Sequence, residues 1–200
     1  MIPPFSETQL DALRELANIA SGTAATALSQ MLGREVELNV PRALALPLAD
    51  AVDAAGAPDD VITGIVLQLE GDLDALVLLL VPTDDAAILC QLLGVEPGSE
   101  VGDSALSEIG NILGTSYLNA LAAMTGLAMM PSPPHLATDL LGAIVASVLA
   151  QAAGAEDIVL VLDSELDVAD QPCSLSFMLL PASGRADDLL APLGLSSNGE

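Results

Sequence analysis

Glu15 and Asn18 stand three residues apart, and Glu108 and Asn111 repeat the pair. A carboxylate and an amide, with no His, Cys, Lys or metal cluster beside them, cannot readily supply both a nucleophile and its activating base. They can position. An amide offers a donor and an acceptor together, so it can hold a water in line with a phosphorus centre, while Glu can form an ion pair with a cation on a docked partner. In-line attack on a phosphoryl group that arrives with its own Mg²⁺ requires mainly such positioning. The chemistry implied is shared between two proteins, and this chain needs no cofactor or metal of its own.

The pairs belong to a longer pattern. Asp11, Glu15, Asn18 and Pro41 recur as Ser104, Glu108, Asn111 and Pro134, and every position is displaced by the same 93 residues. We read the chain as a duplication: a single domain, 1–200, with a first repeat at 6–95 and a second at 101–195. At 100° per residue, Asp11, Glu15 and Asn18 fall within about 60° of one another on a helix. They lie away from the Leu13, Ala20, Ala24 and Met31 stripe, and therefore face outward. Gly22, Ala25 and Ser29 continue that line as a shallow track, as Thr115 does after Ser104, Glu108 and Asn111. Such a surface suits docking of another protein. Taken singly, each Glu is an ordinary solvated helix acid and each Asn an indifferent surface amide. Asn is a poor helix former, however, and its repeated placement mid-helix beside Glu needs a cause. Asp11 and Ser104 read as supporting positions, and Pro41 and Pro134 as residues that shape the start or edge of a strand.

The elements that must carry these residues follow from periodicity. Apolar residues recur at three and four from Ser6 to Leu32, predicting a helix capped by Ser6 with Gln9 and stopped by Gly33. Glu35 to Leu48, Val61 to Leu69 and Leu73 to Val81 read as strands, the last two as a hairpin. Thr83 caps a short helix through Leu93. In the second half the spacing predicts a long helix over Asp103 to Thr125, a strand over Leu127 to Pro134 and a helix over Leu136 to Ala153. Strands follow at Ile158 to Leu162 and Leu175 to Leu180, six residues having been gained between them, and a terminal helix at Arg185 to Leu190. Two units this small are expected to share one continuous core, giving an α/β (α+β) sandwich with pseudo-twofold symmetry.

Composition limits the partners. With no Lys, four Arg and 28 acids the formal charge is −24, which argues against nucleic acid and anionic membrane. The start has no basic or strongly apolar leader, and the longest near-apolar stretch, Leu140 to Ala155, is too short to span a bilayer, so a cytoplasmic protein is expected. Cys90 and Cys173 stand alone and read as buried thiols, and His135 as a surface or satisfied histidine with no counterpart in the first copy, where the aligned residue is Arg42.

The pattern, together with the runs Glu15-Leu-Ala-Asn-Ile-Ala-Ser-Gly-Thr-Ala-Ala-Thr-Ala-Leu-Ser29 and Glu108-Ile-Gly-Asn-Ile-Leu-Gly-Thr-Ser-Tyr-Leu-Asn-Ala120, resembles the CheC family of chemotaxis phosphatases, related to CheX and FliY. The resemblance implies two long motif helices over a shared, mostly antiparallel six-stranded sheet. It implies hydrolysis of the aspartyl-phosphate of a CheY-type response regulator, which brings its own Mg²⁺. By that resemblance Asn18 and Asn111 orient the attacking water, and Glu15 and Glu108 pair with the regulator's active-site Lys. It also implies a partner, the receptor deamidase CheD. The reading from a different class is a noncatalytic adaptor that binds a response regulator, CheD or both. A FliY-like motor role would need a further switch domain, not expected of a chain ending at Glu200.

Overall fold

A computed structural model describes residues 7–151, 158–168 and 171–182. The Ser6 cap and the helix expected at Arg185 to Leu190 lie outside these residues. Helix α1 (Glu7–Leu32) is followed by β1 (Val36–Pro47), α2 (Leu48–Ala55), the hairpin β2 (Val61–Gly71) and β3 (Ala75–Pro82), and α3 (Thr83–Leu92). The second half runs α4 (Glu100–Thr125), β4 (Met129–Pro131), β5 (His135–Leu140), α5 (Leu141–Gln151), β6 (Ile158–Val168) and β7 (Gln171–Pro181).

All the strands join one antiparallel sheet in the order β1-β6-β7-β3-β2, with β4 and β5 sharing the outer edge of β2. The order is palindromic about the β7·β3 pair: hairpin against hairpin in the middle, and the strand that follows each long helix at the edges. The expected six positions are present, and the sixth is split. Pro131, Pro133 and Pro134 remove three backbone donors there, so an unbroken ladder cannot form. Ser132 spans the break: its N–H donates to the Gln68 carbonyl at 2.8 Å and its Oγ accepts from the Gln68 N–H at 3.0 Å.

Both faces of the sheet are covered. On β3, Val77, Leu79 and Val81 point to the side of α1, α3 and α4, and Leu76, Leu78 and Leu80 to the side of α2 and α5. Side chains alternate with period two, so a strand buried on both faces reads as a continuous apolar run. The core is therefore two clusters separated by the sheet, where one continuous core was expected. Gly110 and Gly114 bring α4 down onto β2; a Cβ on Gly110 would meet Ile65 at 2.7 Å. The small residues serve a helix-to-sheet approach as well as the packing of α1 on α4.

The structure corrects several boundaries. The two-turn helix α2 was not expected; its apolar positions, Ala51 and Val52, pack on the second face. The helix expected from Leu136 begins at Leu141, because His135–Leu140 pairs with the free edge of β2 from Val66 to Val61. Helix α4 begins three residues earlier than Asp103, where the Ser99 Oγ accepts from the Gly102 N–H at 3.1 Å. Thr83 does not cap α3; its hydroxyl donates to the Val61 carbonyl at 2.7 Å, tying the helix start to β2. The six gained residues lengthen the β6–β7 hairpin, whose far end, Val168, pairs with Val36 of β1. Among the described residues no helix is long and apolar enough to cross a membrane.

Candidate functional site

The burial of α1 follows its sequence periodicity. Leu13, Leu16, Ala17 and Ala20 are buried, whereas Asp11, Glu15 and Asn18 are exposed on the opposite side. On α4, Ser104 and Glu108 are exposed and Asn111 is half-buried. Each Glu and Asn pair is thus carried on the outer surface of a long helix whose other side is fixed in the core. Asp11 makes an i,i+3 ion pair with Arg14, Oδ1 to Nη2 3.0 Å. An exposed pair of this kind contributes only a few tenths of a kcal/mol, so its effect is to hold Arg14 beside the first site.

Asn18 has a partner that periodicity did not reveal. Its Oδ1 accepts from the backbone N–H of Val40 at 3.1 Å. The origin is a β-bulge: Asn39 pairs with Glu165 and Arg42 with Asp163, so Val40 and Pro41 together oppose Ser164. The bulge releases the Val40 N–H from the ladder, and Pro41 contributes no donor of its own. Pro41 therefore shapes the strand, as its residue type suggested. Pro134 occupies the matching break between β4 and β5. The signal available in the sequence was the constant spacing from Asn to Pro in both copies, which links the helix to that bulge.

Of the small residues on the α1 track, Gly22 is open, with nothing within 4 Å of a Cβ built on it. Ser29 is engaged instead, its Oγ accepting from the Val36 N–H at 3.1 Å where β1 begins. Ile19, next to Asn18, is 60% exposed, an apolar contact at the edge of the first site. Its counterpart Ile112 packs against the core.

The four residues line neither of two open cavities of about 420 Å³. One lies among α3, α4 and β5 and includes Cys90, Asp103 and Thr138; the other includes Glu37, Asp85, Glu165 and Asp167. Among the described residues no group of three or more His, Cys, Asp or Glu is placed to hold a metal ion. The motif residues lie on the outer sides of α1 and α4, where Glu15, Asn18 and Glu108 are exposed and open to a docked protein.

Both cysteines are buried, as their isolation in the sequence suggested. Burial, with a smaller contribution from Asp103, raises the Cys90 thiol above its ordinary value. Burial, then Asp85 and Asp167, pushes Cys173 up to about 11. Thiolate is the reactive form, so neither thiol is expected to react with Ellman's reagent in the folded protein at pH 7.5, and both should react in guanidinium; rapid labelling of the native protein would contradict this. A folded value above the unfolded one means that the stability contributed by the neutral thiol is complete below pH 9.0 and is lost on raising the pH towards 11. His135, at the start of β5, is exposed.

Long helices lying over a palindromic antiparallel sheet, each presenting a carboxylate and an amide outward, define the class. The chain belongs to the CheC-like family of chemotaxis proteins, whose family model matches residues 9–44 and 101–137, the motif helices and the strand positions after them. It is 32% identical over 202 residues to the CheY-P phosphatase CheC of Bacillus subtilis (strain 168), covering 96% of this chain and 97% of that protein. In fold it matches Thermotoga maritima FliY, with a TM-score of 0.77 at 21% identity over 97% of each chain. It also matches CheX from the CheX-CheY-BeF3-Mg complex of Borrelia burgdorferi, with a TM-score of 0.51 at 16% identity over 84% of this chain and 97% of that one.

Proposed function

We propose that the chain is a phosphatase acting on the aspartyl-phosphate of a CheY-type response regulator, with one site on α1 and one on α4. The observation that carries this reading is the repeated pair, Glu15 with Asn18 and Glu108 with Asn111, on the outer sides of two long helices whose other sides are fixed in the core. The CheC relative is named for this activity, and the CheX neighbour was crystallised with CheY, BeF3 and magnesium. The duplicated reading of the chain, as one domain with repeats 6–95 and 101–195, is supported by the palindromic strand order and the constant displacement of the motif. The role places the protein in the cytoplasm.

In this mechanism the regulator supplies the acyl phosphate and its Mg²⁺, and this chain supplies geometry. The Asn amide holds a water in line with the phosphorus atom. The water oxygen forms a bond to phosphorus as the bond to the aspartyl oxygen breaks; the regulator regains its carboxylate, and the water proton leaves with inorganic phosphate. Glu15 or Glu108 pairs with the regulator's Lys, which fixes the docking angle and holds the amide within reach. Asp11 and Ser104 support the first turn of the motif in each helix. CheD as a second partner rests on family resemblance alone.

The test is stoichiometry. With the chain at one-hundredth of the phosphorylated regulator and Mg²⁺ present, many phosphates per chain are expected. One-for-one binding of the regulator without phosphate release would overturn the phosphatase reading in favour of the adaptor.

A further inference from the structure

The two sites differ in how their amides are held. β1 spans 36–47, and β4 with β5 spans 129–140, so the two edge segments correspond at the displacement of 93 that relates the motifs. Val40, which donates to Asn18 Oδ1, thus corresponds to Pro133. The second segment also carries an extra residue at that place: Leu69 pairs with Pro131 and Val66 with His135, leaving Ser132, Pro133 and Pro134 opposite Leu67 and Gln68. The backbone geometry that frees an N–H in the first copy is present in the second. The N–H is not, because proline has none. Among the described residues, the Asn111 side chain has no hydrogen-bond partner.

We propose that the Val40 N–H is a positioning group for the Asn18 amide, and that Pro133 leaves the Asn111 amide unclamped, making the first site the faster of the two. The proposal rests on the reading that these amides orient the attacking water. An amide side chain presents its oxygen and nitrogen in either order when its terminal torsion turns by half a revolution. A backbone N–H can only donate, so it binds Oδ1 and fixes that order, leaving the Nδ2 hydrogens and one Oδ1 lone pair for the docked phosphoryl group and its water. At the second site the same order must be selected during docking. A hydrogen bond of this type is worth about 3- to 10-fold in an equilibrium, and that is the difference expected in kcat. KM is expected to stay unchanged, because the clamp does not touch the regulator.

Two measurements decide it. Side-chain ¹⁵N relaxation on the free protein is expected to show a rigid Asn18 amide and a mobile Asn111 amide; equal order at both would overturn the proposal whether or not the protein turns over. In kinetics, Asn111→Ala leaves only the first site and Asn18→Ala only the second. The first is expected to retain about 3- to 10-fold more kcat, and equal kcat values would overturn the proposal while leaving the phosphatase intact. Pro133→Ala, which restores a backbone donor at a solvent-exposed position, is expected to order the Asn111 amide and to raise kcat in the Asn18→Ala background. No change in either readout counts against Pro133 as the cause. If neither single-site protein turns over but the two amides differ in order, the phosphatase reading fails and the unequal clamp stands.

Discussion

Replacement of Tyr117 by Ala is expected to cost about 3–5 kcal/mol, the range for loss of a large buried aromatic side chain. Tyr117 is fully buried at 0% exposure, and its ring packs on Phe177 with centroids 4.8 Å apart. Its hydroxyl is 3.0 Å from Ser164 Oγ and 3.4 Å from Ser21 Oγ, so one side chain ties α4 to α1 and to β6. The chain has no Trp and two Phe; one of them, Phe177, is itself buried and already packed against the ring, and the other side chains around it are mainly Leu, so little is free to fill the space. Tyr117→Phe separates the two contributions. It keeps the ring but leaves the Ser164 hydroxyl, 2% exposed, without this partner, for an expected cost of about 1–3 kcal/mol. Urea unfolding of the three proteins measures both values. A loss below about 1 kcal/mol for Tyr117→Ala would show that the site collapses around the smaller side chain.

The largest effect on activity is expected from Asn18→Ala combined with Asn111→Ala: a fall of at least about 10² in kcat, the scale seen when a preorganised transition-state contact is removed. The other exposed amides of α1 and α4, Gln30 and Asn119, stand outside the repeated motif. Glu15 and Glu108 remain and can still pair with a cation, so binding of the phosphorylated regulator is expected to survive while turnover does not. The fold is expected to survive too. Both amides lie outside the apolar stripe, and the only described hydrogen bond lost is that from the Val40 N–H, worth about 1 kcal/mol. Phosphate release at saturating regulator measures the first expectation and thermal unfolding the second. A double variant that unfolds at the wild-type temperature and keeps wild-type kcat would contradict the assigned role.

Sequence periodicity carried the long helices well. The stripe from Leu13 to Leu28 is long and regular, and burial on one side of α1 forces Asp11, Glu15 and Asn18 to the other. Short elements were harder to read. Leu48–Ala55 has two turns, too few for a helical period to stand out, and it forms because the second sheet face needs covering. No Gly or Pro separates His135–Leu140 from the helix that begins at Leu141. Only the free edge of β2 decides where strand ends and helix begins, and pairing over that distance leaves no local mark. The Val40 to Asn18 hydrogen bond was hidden for a related reason. It joins a side chain to a backbone group 22 residues away through a bulge, and a bulge is specified by the pairing of β1 with β6, which is distant in sequence. The constant spacing to Pro41 and Pro134 recorded that geometry without stating it. The candidate site residues stand out because the motif occurs twice, which separates Glu15, Asn18, Glu108 and Asn111 from the many other surface acids and amides of a strongly acidic chain.

The most direct measurement of the central claim is the decay rate of a phosphorylated CheY-type regulator with Mg²⁺, followed alone, with the wild-type chain, and with the Asn18→Ala, Asn111→Ala variant, all at the same limiting concentration. Water positioning by the two amides predicts faster decay with the wild type and, with the variant, decay indistinguishable from that of the regulator alone. Equal acceleration by both proteins would contradict water positioning by the two amides, and acceleration by neither, with the regulator still bound, would contradict catalysis.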